Sequence, residues 1–308
     1  MGPSAQLLKP ECSSEGTANL DRREEFQLAS RVEQRGADRV FIKFPANAAS
    51  RPFIDLIAER EKFAARQFRG QAEVVIGRRQ DDVLVYPFLE APNLEEQIGL
   101  EILQNRKDFA LDSVVQYAHF LSGLPHLDCV PSQFRDFLGF KAMETAMTCV
   151  TFGPYDCIPR NLICDSSGWN VLDSEWTFSF AMPVDFLLWR GIHSLVFGLQ
   201  QIIQARTNGK APVILYQGYG RTRLYMPFAW YNAFELHRMD LNRFIAWEEY
   251  FARKILKPEA IRRGRLRLSK LHQVYTSLPG PKSLLIWYEE LIKRATRVIQ
   301  TSLRKKPC

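Results

Sequence analysis

Residues 25–44, EFQLASRVEQRGADRVFIKF, alternate apolar and polar positions around a polar turn, QRGAD. Period-two alternation puts every second side chain on one face, so this stretch predicts a β-hairpin whose second strand ends at Lys43. PFIDLIAEREKFAARQF changes period: Phe53, Ile57, Ala64, Ala65 and Phe68 fall near helical spacing with glutamates between them, which predicts a helix. AEVVIGRRQDDVLVYPFL then reads as two strands around the polar turn RRQDD. Two strands, a helix and two strands make a small mixed lobe up to about residue 92. From Asn93 the pattern is mostly helical, as in LEEQIGLEILQ and SVVQYAHFLSGL, interrupted only by a hairpin near residues 161–173. Residues 1–22 are polar and aperiodic and are expected to be a disordered lead-in. The expected organisation is therefore lead-in 1–22, small lobe 23–92 and helical lobe 93–308, an α+β architecture in two lobes. No internal repeat or low-complexity tract is present.

Composition narrows the class. The 308 residues are 46% hydrophobic and 12% aromatic, enough for one large core or two smaller ones. No basic and apolar leader and no run of about 18 apolar residues occurs, so a cytoplasmic chain is expected. Six cysteines without a CxxC and five histidines without HxxH or HExxH argue against a disulfide framework or structural zinc.

Charge is unevenly placed: residues 253–308 hold 15 Lys and Arg against 3 Asp and Glu, the remainder 26 against 31. In SLLIWYEELIKRATRVIQTSLRKK, residues Leu284, Leu285, Tyr288, Leu291, Ile292, Ala295 and Ile299 repeat near helical spacing, which predicts a basic amphipathic helix. Such a helix either packs its apolar face on the large lobe or makes a peripheral contact with an anionic surface, the cytoplasmic leaflet or a phosphorylated glycan carrier. Nucleic acid ranks below both, because no binding motif accompanies the charge.

The densest chemistry lies in DCIPRNLICDSSGWNVLDSEW. Asp156 to Asn161 is D-x-x-x-x-N, and the strands NLIC and WNVLD around DSSG bring Asp173 back beside the Asn. An Asn amide oxygen and an Asp carboxylate are hard ligands for one Mg²⁺, and Asp156 would orient a hydroxyl or take its proton. Phosphoryl transfer needs those parts. Taken alone, D-x-x-x-x-N is as readily a turn with an Asx cap, Lys43 a solvated strand end, and Glu59 and Glu61 the wet face of a helix. Asp165 reads as a turn residue, GYG at 218–220 as a turn, and His193 as a satisfied core histidine. Trp230, Tyr231 and Trp247 either stack on a sugar or fill the core.

In this order the motifs resemble the protein-kinase-like superfamily, in its aminoglycoside and choline phosphotransferase-like branch, over roughly residues 24–200. That family's loop H-x-D-x-x-P-x-N and turn D-x-D/E are similar to PYDCIPRN and DSE here. The resemblance implies a two-lobed protein-kinase-like fold, ATP and Mg²⁺ as cofactors, Asp156 as catalytic base, and Asn161 and Asp173 as metal ligands. It implies Lys43 of VFIK as the phosphate-binding lysine, with Glu61, or less well patterned Glu59, as its partner. In the hinge YPFLEAPNLEEQI, Tyr86 would back the adenine pocket, Pro87 would offer its C=O and Leu89 its N–H. Asp185 of PVDFLLWRGI would support the catalytic loop.

The chain resembles most of all kinase domains associated with bacterial methyltransferases and glycosyltransferases of cell-surface polysaccharide (O-antigen) assembly. The shared features are Arg22 or Arg23 through Leu28, Pro159-Arg160-Asn161, Asp173 to Trp176, and Pro183 to Gly191. A hydroxyl of a small molecule or glycan is then the expected acceptor, and a polysaccharide-assembly enzyme an expected partner.

Three positions depart from the pattern. Pro154 replaces the loop histidine, Ile158 replaces a basic residue, and the first 35 residues hold only Gly2 and Gly16, so no Gly-rich loop precedes the lysine strand. Arg160 would supply the missing charge, since Arg holds phosphate oxygens bidentately. The departures also fit an inactive relative that serves as a nucleotide- or partner-binding scaffold.

Overall fold

The computed structural model describes residues 17–104, 106–139, 145–166, 168–206 and 241–262. The chain divides into two compact units, residues 1–263 and 264–308. The second unit lies outside the described residues, as do the expectations for the basic amphipathic helix, the turn at 218–220, and Trp230 and Tyr231.

The first unit is α+β. Its small-lobe sheet has the order β1-β2-β3-β6-β5, from β1 (Thr17–Ala18), β2 (Leu28–Arg35), β3 (Asp38–Pro45), β5 (Arg78–Gln80) and β6 (Val83–Pro87). The β2–β3 hairpin pairs Leu28 with Pro45 through to Arg35 with Asp38. Gly36 takes the tight turn at φ +65°, a conformation that costs a side-chain-bearing residue energy. Thr17 and Ala18, inside the stretch expected as a disordered lead-in, form a strand, because β1 pairs with β2 through Ala18 and Ala29.

Helix α1 (Arg51–Gln67) follows a turn in which Asn47 Oδ1 accepts from the Ser50 N–H at 3.1 Å. It buries Phe53, Ile54, Ile57, Glu61 and Ala64, spaced along one helical face as the apolar pattern predicts. Glu61 is the charged member of that face.

The strand expected ahead of the turn RRQDD does not pair with β6, and β5 falls inside that expected turn. β4 (Ala72–Val74) pairs in parallel with the hairpin strand of Trp169, which lies opposite Ala72, and the chain breaks before β5. Gly77 lies in the break, where an added Cβ would meet the Tyr86 ring at 2.7 Å. Period two reports that residues are extended, not which sheet they join.

The large lobe carries α2 (Leu94–Leu103), α3 (Lys107–Gly123), α4 (Ser132–Leu138), α5 (Val184–Arg206) and α6 (Leu241–Ile255). Helix α2 opens with a reciprocal cap: Glu96 N–H donates to Asn93 Oδ1 at 2.9 Å and Asn93 N–H to Glu96 Oε2 at 3.2 Å. This lobe is less purely helical than its pattern implies. It also holds a sheet of order β13-β8-β7 (Met182–Pro183, Met147–Val150, His126–Cys129), a pair β9/β12 (Gly153–Pro154, Thr177–Phe178) and the hairpin β10/β11 (Leu162–Asp165, Gly168–Val171). Strands of two to four residues are too short to show alternation.

Trp247 is a core residue, buried with Phe134 and Phe186 at centroid distances of 5.2 and 5.3 Å. His193 likewise stacks on buried Trp189 at 5.0 Å. No helix among the described residues is long and apolar enough to cross a membrane.

Candidate functional site

The hairpin β10/β11 brings the expected residues together. Leu162 pairs with Val171, and Leu172 N–H donates to the Asn161 carbonyl at 2.8 Å, which places Asp173 one residue beyond the pairing. Asn161 Nδ2 donates to the Asp156 carbonyl at 3.0 Å. That bond orients the amide, and Oδ1 is left as an oxygen ligand. The Asp173 Oδ1 atom accepts from the Glu175 N–H at 3.1 Å and lies 2.9 Å from Lys43 Nζ.

Asp156 sits in a buried frame. Its Oδ2 accepts from the Trp176 N–H at 3.1 Å, and Arg190 Nη2 stands 3.9 Å from Oδ1. Burial first, and then the Asp173 charge, push its carboxyl up to about 7, against the pull of Arg190. A carboxyl that titrates near neutrality suits proton acceptance from an alcohol.

Sequence reasoning missed what holds this loop. Arg190 on α5 donates from Nη1 to the Tyr155 carbonyl at 2.6 Å and from Nε to Glu248 Oε2 at 3.2 Å. The Tyr155 hydroxyl donates to the same Glu248 oxygen at 2.6 Å, and its ring stacks on Phe251 at 3.8 Å. Tyr155, Arg190 and Glu248 thus hold the loop where the expected histidine is Pro154. The R-G of PVDFLLWRGI was the available signal, while Glu248 lies 58 residues further on with no motif around it. Asp185, expected in the supporting role, is exposed at the start of α5.

Arg160, expected to supply charge to phosphate oxygens, is engaged within the large lobe. Its Nη2 donates to Ser194 Oγ at 3.0 Å and its Nε lies 3.7 Å from Glu95 Oε2, so the guanidinium is directed to α5 and α2. Glu95 is buried and pushed up to about 7, chiefly by burial and against the Arg160 charge. Its carboxylate fits only because residue 198 is glycine: a Cβ there would stand 1.9 Å from Cδ.

On the small-lobe side Lys43 is buried at the end of β3 with Glu61 and Tyr86 nearby. Glu59 is exposed, which leaves Glu61 as the buried helix carboxylate. Glu61 does not ion-pair with Lys43, however. Oε1 accepts from the Tyr86 hydroxyl at 2.7 Å and Oε2 from the Gly77 N–H at 2.9 Å. The ion pairs of Lys43 run instead to Asp173 at 2.9 Å and Glu175 at 3.9 Å. The Asp173 contact is close but poorly angled and the Glu175 contact is too long for a hydrogen bond, so the three-donor ammonium is held by charge with donors to spare. Burial pulls its pKa down, but Asp173 and Glu175 outweigh it and the ammonium is raised overall. Burial likewise raises Glu61, with the Tyr86 and Gly77 hydrogen bonds opposing it.

Tyr86 stands behind the lysine, its ring centroid 5.5 Å from Nζ. Pro87 ends β6 opposite Val40, exposed, and Leu89 follows at 38% exposure. Neither lines the cleft of about 500 Å³ that contains Lys43, Phe41, Asp173 and Glu175. Residues 17–22 form one wall of that cleft. The chemistry available is a buried ammonium, carboxylate and amide oxygens on one hairpin, and a neutral-range carboxyl, the donor set of a hard divalent cation with an anionic ligand.

No family model matches the chain, and no curated protein matches it. Among solved structures, choline kinase LicA from Streptococcus pneumoniae is similar at 11% identity over 91% of each chain, with a TM-score of 0.34. The apoenzyme of macrolide 2'-phosphotransferase MphH from Brachybacterium faecium is 11% identical over 86% of this chain and 92% of its own, with a TM-score of 0.35. A type I macrolide 2'-phosphotransferase is 13% identical over 83% and 91%, at 0.34. Similarity at this level transfers no activity to this chain.

Proposed function

We propose that the protein is an ATP- and Mg²⁺-dependent phosphotransferase that passes the γ-phosphate to a hydroxyl of a small molecule or carbohydrate. By the sequence resemblance, a cell-surface polysaccharide or its precursor is the leading acceptor class. The observation that carries this reading is the grouping of Asp156, Asn161, Asp173 and Lys43 on one hairpin and one strand end, with a carboxyl raised to about 7 among them.

Asn161 Oδ1 and the Asp173 carboxylate would hold Mg²⁺, which supplies charge neutralisation on the triphosphate when bound. Lys43 would exchange its contact with Asp173 for phosphate oxygens, an exchange favoured because one of its present ion pairs is poorly angled and the other is 3.9 Å long. Asp156 would orient the acceptor hydroxyl and take its proton as that oxygen bonds to γ-phosphorus and the bond to the β-phosphate oxygen breaks, releasing ADP. The Arg190 and Glu248 frame would hold Asp156 in place for this step.

The scaffold reading has one observation in its favour: Lys43 is engaged by Asp173, and Glu61 is tied to Tyr86 instead of the lysine. Thermal shift separates the two. Under the enzymatic reading ATP raises the melting temperature only with Mg²⁺, and Asp173→Ala removes the rise. Asp156→Ala keeps the rise and loses turnover by about 10²-fold or more. No shift of the wild type at millimolar ATP would leave the scaffold reading standing.

A further inference from the structure

Cations in the cleft carry more hydrogen-bond donors than the protein uses. Lys43 Nζ is buried without an angled acceptor. Arg22, only 17% exposed, spends both of its hydrogen bonds through Nη1, to Glu175 and at 3.4 Å to the Phe26 carbonyl. Nε and Nη2 have no partner among the described residues. Both cations line the same cleft with Phe41, Asp173 and Glu175, and Glu175 bridges them.

The backbone holds Arg22 there from both lobes. On the small-lobe side β1 pairs with β2, and Asn19 N–H donates to the Leu28 carbonyl at 2.9 Å. Gln27 Nε2 donates to the Arg22 carbonyl at 2.8 Å. On the other side Arg23 N–H donates to the Ile255 carbonyl at 2.8 Å and Lys257 N–H to the Asp21 carbonyl at 2.9 Å, fastening the segment to the end of α6. A guanidinium fixed at its backbone and half-used at its head is preorganised for a second, bidentate acceptor.

We propose that Arg22 is a phosphate-binding residue that, with Lys43, takes the place of the absent Gly-rich loop at the nucleotide's phosphate chain. The proposal rests on the ATP reading above and adds a residue to it. Glu175 keeps the guanidinium neutralised until a more highly charged phosphate group displaces it. The carboxylates of the cleft balance the two cations in the empty protein, so the anion would enter with Mg²⁺ on Asp173.

The test is titration calorimetry of adenosine, ATP and inorganic tripolyphosphate with wild type, Arg22→Gln, Arg22→Lys and Glu175→Gln. Arg22→Gln is expected to weaken ATP and tripolyphosphate about tenfold and to leave adenosine unchanged, with Arg22→Lys recovering part of the loss. Glu175→Gln, which frees both cations, is expected to tighten tripolyphosphate measured without Mg²⁺. Unchanged ATP affinity in Arg22→Gln, or an equal loss of adenosine, overturns the proposal while the ATP reading survives. If Arg22→Gln does not fold, Glu175→Gln decides alone, and unchanged or weaker tripolyphosphate binding overturns the proposal. A wild type that binds adenosine, ATP and tripolyphosphate equally poorly removes the ATP reading, and Arg22 with it.

Discussion

The loop around Asp156 and the cleft around Lys43 are both built from buried charges, but they are satisfied to different degrees. At the loop, Arg190 makes two hydrogen bonds and Tyr155 a third, at 2.6 to 3.2 Å, and aromatic stacking closes the frame. At the cleft, Lys43 has ion contacts without angled hydrogen bonds, and Arg22 uses one of three nitrogens. Buried polar groups that are fully paired fix a geometry, while those partly paired exchange partners at small cost. The loop is a frame, and the cleft keeps cation donors that its own carboxylates do not fill.

That contrast can be broken by substitution. Arg190→Ala should cost the most, about 3 kcal/mol in denaturant unfolding, because it leaves partly buried Glu248 and the Tyr155 carbonyl without their cation. A loss below about 1 kcal/mol would mean that the frame is not what holds the loop.

Glu95 gives the next effect, through pH. Its carboxyl is raised to about 7 in the folded protein, so its contribution is fully present below the ordinary carboxylate range and is lost as pH rises through about 7. Wild type should lose roughly 2–3 kcal/mol relative to Glu95→Gln between pH 5 and pH 8. Parallel pH profiles of melting temperature for the two proteins would refute it.

Tyr86→Phe removes one charge-assisted hydrogen bond to Glu61 and leaves the Gly77 N–H in place, so about 1.5 kcal/mol is expected. Lys43→Met should cost least, under about 1 kcal/mol, since Glu175 keeps Arg22 and Asp173 keeps a backbone N–H. A cost equal to that of Arg190→Ala would erase the distinction between frame and cleft.

The hairpin 161–173 and strand 38–45 were legible because local period and turn residues specify them. With them came Asn161, Asp173 and Lys43. The destination of β4 was not legible, because an extended segment of three residues is equally compatible with either sheet. Glu61 was found on the buried face of α1 by spacing, yet its partner depended on where Tyr86 and Gly77 arrive from β6 and the break before β5. Arg160 carried the motif, and Arg190 makes the contact with Asp156, because helix α5 and not chain proximity delivers a cation to the loop.

The sequence by itself determined the elements, the hairpin that joins Asn161 to Asp173, and the presence of Lys43 at a strand end, since each depends on interactions within a few residues. Tertiary structure alone decided which cations face Asp156, what Glu61 binds, and that residues 17–23 run along the cleft to the end of α6. Those outcomes depend on burial and pairing between residues 16 to 236 positions apart, where the cost of desolvating a charge is set by the packing around it and leaves no local pattern.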